Sequence, residues 1–134
     1  MFLNQLLEVS KKNFLILAKH AMGLNGEFKE EELEIYTSFQ HECDLSDYNP
    51  EVNEQGLTEA ITSLSGRDMT IRKVAMIELL GIMLADGVIC DSEQEFVNQL
   101  SVSFDLEGYQ IKRMERWVSG MNDLVEEGYR MVGD

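Results

Sequence analysis

The stretch IRKVAMIELLGIMLADGVICDSEQE, Ile71 to Glu95, decides how this chain folds. Between Val74 and Ala85 the one charged residue is Glu78, so a helix here is apolar nearly all round, as a helix at the centre of a domain is. At twelve residues it falls far short of the roughly twenty that cross a bilayer. The apolar pattern stops at Asp86-Gly87, and Asp91-Ser92 opens a second, amphipathic helix with Phe96, Val97, Leu100 and Phe104 on its buried side. Ser92 and Glu95 have the Ser-x-x-Glu spacing of a capping box. A central helix, an acidic turn and a return helix make one αα-hairpin. Glu78 is expected on a solvent-facing strip or beside a basic partner, the other reading being a buried acid with a raised pKa.

Upstream, Leu3, Leu6, Leu7, Phe14, Leu17, Ala18, Ala21 and Leu24 follow helical spacing over about Phe2 to Leu24. Ser10 is a point where a short N-terminal helix could separate. Asn25-Gly26 is a stop signal. A second helix follows over about Lys29 to Cys43, burying Phe28, Leu33 or Ile35, Tyr36 and Phe39, with Glu30, Glu31 and Glu34 outward. After a connector ending at Pro50, a helix over Glu51 to Leu64 carries Gly56 as a weak point, and Ser65 or Asp68 caps the central helix. Downstream, Ile111, Met114, Val118, Met121 and Val125 alternate spacings of three and four over Glu107 to Val132. That stripe predicts a helix packed on the domain, with Ser119-Gly120 as a kink or break.

A shift of 61 residues lays Leu24–Leu45 on Ala85–Leu106 without a gap. Gly26 meets Gly87, Glu32 meets Glu93, Glu34 meets Glu95, and Asp44-Leu45 meets Asp105-Leu106. Phe28, Ile35 and Phe39 fall opposite Ile89, Phe96 and Leu100. The expected fold is therefore all-α, one domain over residues 1–134, with about six or seven helices. Two pseudo-twofold-related hairpins (about 14–45 and 74–106), a connecting helix (51–64) and a C-terminal helix (107–132) make it up.

Both turns read Asp/Asn-Gly-x-apolar-x-x-x-Glu, the second half of a calcium-binding EF-hand loop. The first two ligand positions of such a loop fall on Ile82 and Leu84, and on Ala21 and Gly23, none of which offers a side-chain oxygen. Asp86, Asp91 and Glu93, with Glu32 in the twin turn, are left as an incomplete oxygen cage for a weakly held calcium or magnesium ion. The structural alternative assigns Asp86 to turn amides, Asp91 or Ser92 to the cap, and Glu93 to the first turn, where the helix dipole favours it.

Composition narrows the functional classes. The formal net charge of −14 repels phosphate backbones and anionic headgroups, and Lys11-Lys12 with Lys19, Arg72-Lys73, and Lys112-Arg113 with Arg116 are small patches interleaved with carboxylates. Nucleic acid and membrane insertion are not expected; cations and basic proteins or peptides are. Cys43 and Cys90 lack metal or redox spacing, and no secretory leader pattern opens the chain, so reduced thiols and a cytoplasmic location are expected. His41-x-Cys43 is a poor zinc pair, because residues two apart face different sides of a helix. Serine-nucleophile and phosphate-loop patterns are absent, so no catalytic residue and no organic cofactor is assigned.

The hairpin ELLGIMLADGVICDSEQEFVNQLSVSFDL, up to Leu106, resembles the signature hairpin of the tellurite-resistance TerB-like family, with its Ala-Asp-Gly turn and a glutamate six residues after that glycine. The same domain type occurs in membrane-anchored DnaJ-type co-chaperones. What the resemblance implies is a small helical bundle with an acidic face, binding divalent cations and protein partners in stress-response assemblies. Asp86 and Glu93 carry over directly and Glu32 through the repeat, while Asn25 departs from the family's aspartate. Three readings follow: a non-enzymatic domain that binds protein partners and divalent metal through its acidic surface, a metal-dependent enzyme using Asp86, Asp91 and Glu93, and an obligate oligomer joined through the methionine- and Trp117-bearing last helix.

Overall fold

The computed structural model describes residues 1–24, 26 and 30–133. Among these are six α-helices, one short 3₁₀ turn (Leu3–Gln5) and no strand: α1 (Glu8–Met22), α2 (Glu30–Glu42), α3 (Glu54–Ser65), α4 (Met69–Met83), α5 (Asp91–Phe104) and α6 (Gly108–Gly133). No helix is long and apolar enough to cross a membrane. The expected all-helical bundle is what forms.

The core is built on α1 and α4, which pack against each other, with α3 against α1 and α6 against α4. Phe14, Leu15, Leu17 and Ala18 of α1, and Ala75, Met76, Leu79, Leu80 and Ile82 of α4, are fully buried. A helix with so little polar surface is stable only where neighbours cover several of its faces. Asp68 caps α4, its side chain accepting from the Ile71 N–H at 3.0 Å. Ser65 instead donates its hydroxyl to the Ile61 carbonyl inside α3.

The 61-residue offset relates backbone as well as sequence. α1 and α4 begin and end at corresponding residues, and α2 and α5 begin at corresponding residues. Gly26 and Gly87 have φ of 82° and 88°, and Asp44 and Asp105 have φ of 57° and 56°. At each hairpin's end the same pair of bonds forms: Asp44 N–H to His41 O with Leu45 N–H to Gln40 O, and Asp105 N–H to Val102 O with Leu106 N–H to Ser101 O. This is the Schellman arrangement, in which two residues beyond the helix satisfy its last carbonyls. Arg72 of α4 donates to the Phe104 carbonyl at 2.8 Å. Its counterpart Lys11 lies close enough to Cys43, the counterpart of Phe104, to pull that thiol's pKa down against burial.

Several boundaries differ from the sequence expectation. The N-terminal break falls at Leu6-Leu7, because Ser10 is buried inside the first turns of α1. Leu33 points to solvent and Ile35 packs on the core; Asn25, Phe28 and Lys29 lie outside the described residues. α3 starts at Glu54 rather than beside Pro50, since Asn53 is its cap and accepts from the Gly56 N–H at 2.7 Å. Gly56 thus sits in the first turn, where it breaks nothing. α6 runs unbroken through Ser119-Gly120.

Candidate interaction surface and the hairpin turns

The hairpin turn holds the residues singled out for metal. Asp86 is exposed and its Oδ1 accepts from the Val88 N–H at 3.1 Å. Asp91 is exposed at the first position of α5. Glu93 is buried, with Oε1 accepting from the Cys90 N–H at 3.0 Å. Cys90 is the N-cap, so the capping box is Cys90 with Glu93, and not Ser92 with Glu95. Cysteine at the N-cap is outside the usual Ser/Thr pattern, which is why the sequence pointed two residues too far. Glu32, the counterpart of Glu93, is buried at the same place in α2. Among the described residues, no three His, Cys, Asp or Glu side chains come together as a metal ion would require. Of the three carboxylates on this turn, Glu93 serves the first turn of its own helix, and Asp86 and Asp91 are exposed.

Glu78 sits within α4 with its side chain nine-tenths buried. Burial raises its carboxyl pKa, and the Met1 amino group, 3.3 Å away, works against that rise. Glu42 shares the amine at 2.6 Å. The basic-partner reading and the buried-acid reading of Glu78 thus hold together. Cys43 and Cys90 are free thiols, and burial pushes Cys43 up to about 11. Burial likewise lowers His20, whose ring meets Phe96 edge-on at 4.8 Å.

An exposed apolar stripe lies on α6. Its twenty-six residues span about 39 Å at 1.5 Å per residue. The first half packs on the bundle, with Ile111 and Val118 buried and Met114 against the core. Asn122 reaches the Leu84 carbonyl at 3.4 Å, and beyond it no side chain is buried. The apolar stripe nevertheless continues. At 100° per residue, Met121, Leu124, Val125, Gly128, Tyr129, Met131 and Val132 share one side, and Asp123, Glu126, Glu127 and Arg130 the other. Leu124, Tyr129, Met131 and Val132 are each more than 70% exposed. Val125, expected to be packed on the domain, is half exposed. Scattered exposed apolar residues are ordinary; a contiguous apolar face marks a contact site.

Beside the packed half of α6 runs a groove of about 350 Å³, walled by Phe2, Ile77, Met114 and Trp117 with Lys73 and Arg113 at its rim. Phe2 and Trp117 form its aromatic end, ring centroids 5.8 Å apart. One of the three sequence readings gave the Trp117-bearing helix an interface, but the sequence could not show the groove, which needs α4 and the N-terminal turn beside it.

No family model, curated protein or solved structure matches the chain.

Proposed function

We propose that this chain is a non-enzymatic helical interaction domain of the TerB-like type, whose binding surface is the exposed apolar face of α6 together with the groove beside it. One observation carries this reading: the C-terminal half of an amphipathic helix holds its apolar stripe exposed. Such a face costs solubility and stays in water only where another surface covers it. The groove supports the same reading, since its walls are aromatic and aliphatic and no histidine, thiol or carboxylate lines it. An active site would instead gather convergent polar groups. The resemblance of the hairpin up to Leu106 to the TerB-like signature agrees with an interaction role in stress-response assemblies.

The test places a photo-crosslinking residue, in separate variants of the full chain, at Leu124 and Met131, and at Asp123 and Arg130 on the opposite side. Irradiation in the producing cell is expected to give discrete adducts from the first pair and none from the second. Equal labelling from both sides, or none from the apolar side, overturns the proposal.

A further inference from the structure

We propose that the occupant of this surface is a second copy of the same chain, lying antiparallel so that the Leu124–Met131 end of one α6 fills the Phe2–Ile77–Trp117 groove of the other. This rests on the interaction reading above and names its partner. The first argument is register. Met114, Trp117, Met121, Leu124, Gly128 and Met131 alternate spacings of three and four along α6, the seam of a two-helix contact. Its N-terminal half borders the groove and its C-terminal half is free. One helix therefore carries both the socket and the plug, with about two turns between Trp117 and Leu124. Two copies satisfy each other only when their helices run in opposite directions about a point near Gly120, which gives the closed twofold arrangement of a dimer. Gly120 has nothing within 4 Å of where a Cβ would stand, so two backbones can approach closely there.

The second argument is charge. Arg113 and Lys73 rim the groove, and neither is ion-paired among the described residues. The free end carries Asp123, Glu126 and Glu127 against one cation, Arg130, which pairs with Glu126 at 2.7 Å and more loosely with Glu127 at 3.8 Å. Arg113 and Glu127 flank the seam on the same side, seven residues to either side of Gly120. Antiparallel docking brings Arg113 of each copy to Glu127 of the other, twice over. A parallel pair would place the same flank of the two copies on opposite sides of the seam, so Arg113 would not meet Glu127 and the ion pairs would be lost. A strongly basic partner would suit the acidic end of α6, but it would meet the Lys73 and Arg113 rim with the wrong sign.

Sedimentation velocity of the purified full chain, at about 0.15 M salt to screen its net negative charge and from about 1 to 200 µM, is the deciding measurement. The expected result is a reversible dimer of twice 15.3 kDa. Leu124→Glu with Met131→Glu is expected to leave only the monomer, with an unchanged melting temperature once wild type is diluted to monomer, because both sites are exposed. Val102→Glu, at an exposed apolar residue on α5, serves as control and keeps the dimer. Arg113→Glu or Glu127→Arg alone should weaken the dimer by on the order of tenfold, since symmetry places each like-charge contact twice; the two together should restore it to within about threefold. A monomer at every concentration overturns this proposal, as does a dimer that ignores Leu124→Glu with Met131→Glu or one that the charge exchange fails to restore. Adducts from Leu124 and Met131 to other proteins, beside a purified chain that stays monomeric, would sink the second copy while the interaction reading stands. An absence of adducts would sink both.

Discussion

Leu17 in the first hairpin and Glu78 in the second stand at corresponding positions, 61 residues apart, on helices that begin and end together. Leu17 is fully buried and Glu78 nearly so. The backbone frame is thus common to the two hairpins, while the content of their first helices is not. What makes the acid tolerable is local: the Met1 amine reaches Glu78, whereas Leu17 lies among apolar side chains of the core. Repeating a frame does not repeat an environment, so a residue's fate at a shared position depends on what the rest of the chain brings to it.

Exchanging the two residues is the strongest way to break this comparison. Leu17→Glu puts an uncompensated charge in the core and is expected to cost about 3–5 kcal/mol in urea unfolding. Glu78→Leu is expected to be neutral or stabilising by about 1–2 kcal/mol. If both variants lose stability equally, the environments are alike and the comparison fails. The pH dependence sharpens it. Burial raises the folded Glu78 carboxyl above its ordinary value of 4.5, so the fold disfavours its charged form and binds its proton more tightly than the unfolded chain does. That penalty is fully present above the folded pKa and fades as pH falls through it toward 4.5. The stability gap between Glu78→Leu and wild type should therefore narrow from pH 7 to about 4.5.

The turns should respond as twins. Gly26 and Gly87 both hold positive φ with open space where a Cβ would go, so valine at either is opposed by backbone strain alone. Gly87→Val and Gly26→Val are each expected to cost about 1–3 kcal/mol. Thermal melts differing by more than that spread would mean that the two turns are not equivalent.

A smaller effect tests the carboxylate at the start of α5. Glu93→Ala loses the bond to the Cys90 N–H and should cost about 1 kcal/mol, while Glu93→Gln, which keeps the capping geometry, should cost less. Wild type and Glu93→Gln are expected to melt alike with and without millimolar calcium at constant ionic strength. A calcium gain confined to wild type would show that Glu93 binds a cation.

The smallest expected change is a gain. Asp44 and Asp105 occupy the left-handed region that favours glycine, so Asp105→Gly should stabilise by roughly 0.5 kcal/mol, and Asp44→Gly by a similar amount. Loss of stability in both would mean that the aspartate side chains contribute more than the strain they cause.

Much of the fold was legible because the matched residues stand where the backbone makes its strictest demands. Gly26 and Gly87 turn the chain, Glu32 and Glu93 lie buried in the first helical turn, and Asp44-Leu45 and Asp105-Leu106 close the hairpins. Chemistry at such points is restricted, so it shows in the letters. The capping box was misplaced because Cys90 is not a residue the pattern looks for. The metal reading rests on Glu93, a residue that serves turn and cation patterns equally well in sequence. Val125 teaches a different limit. Its spacing reports an apolar stripe and says nothing of whether this chain or another covers it.

The free end of α6 is held by its own backbone ladder and the exposed pairs of Arg130 with Glu126 and Glu127, and Gly128 within that stretch weakens it by about 1 kcal/mol relative to alanine. A helix of three turns without tertiary support is marginal in water. Its amides should therefore exchange with solvent far sooner than those of α1 or α4, through fraying rather than global unfolding. Docking would order the very segment it buries, so part of the contact energy goes into finishing the helix. Association would then be weaker and more readily reversed than so wide an apolar face suggests, and protection of residues 122–133 from exchange would rise and fall with protein concentration.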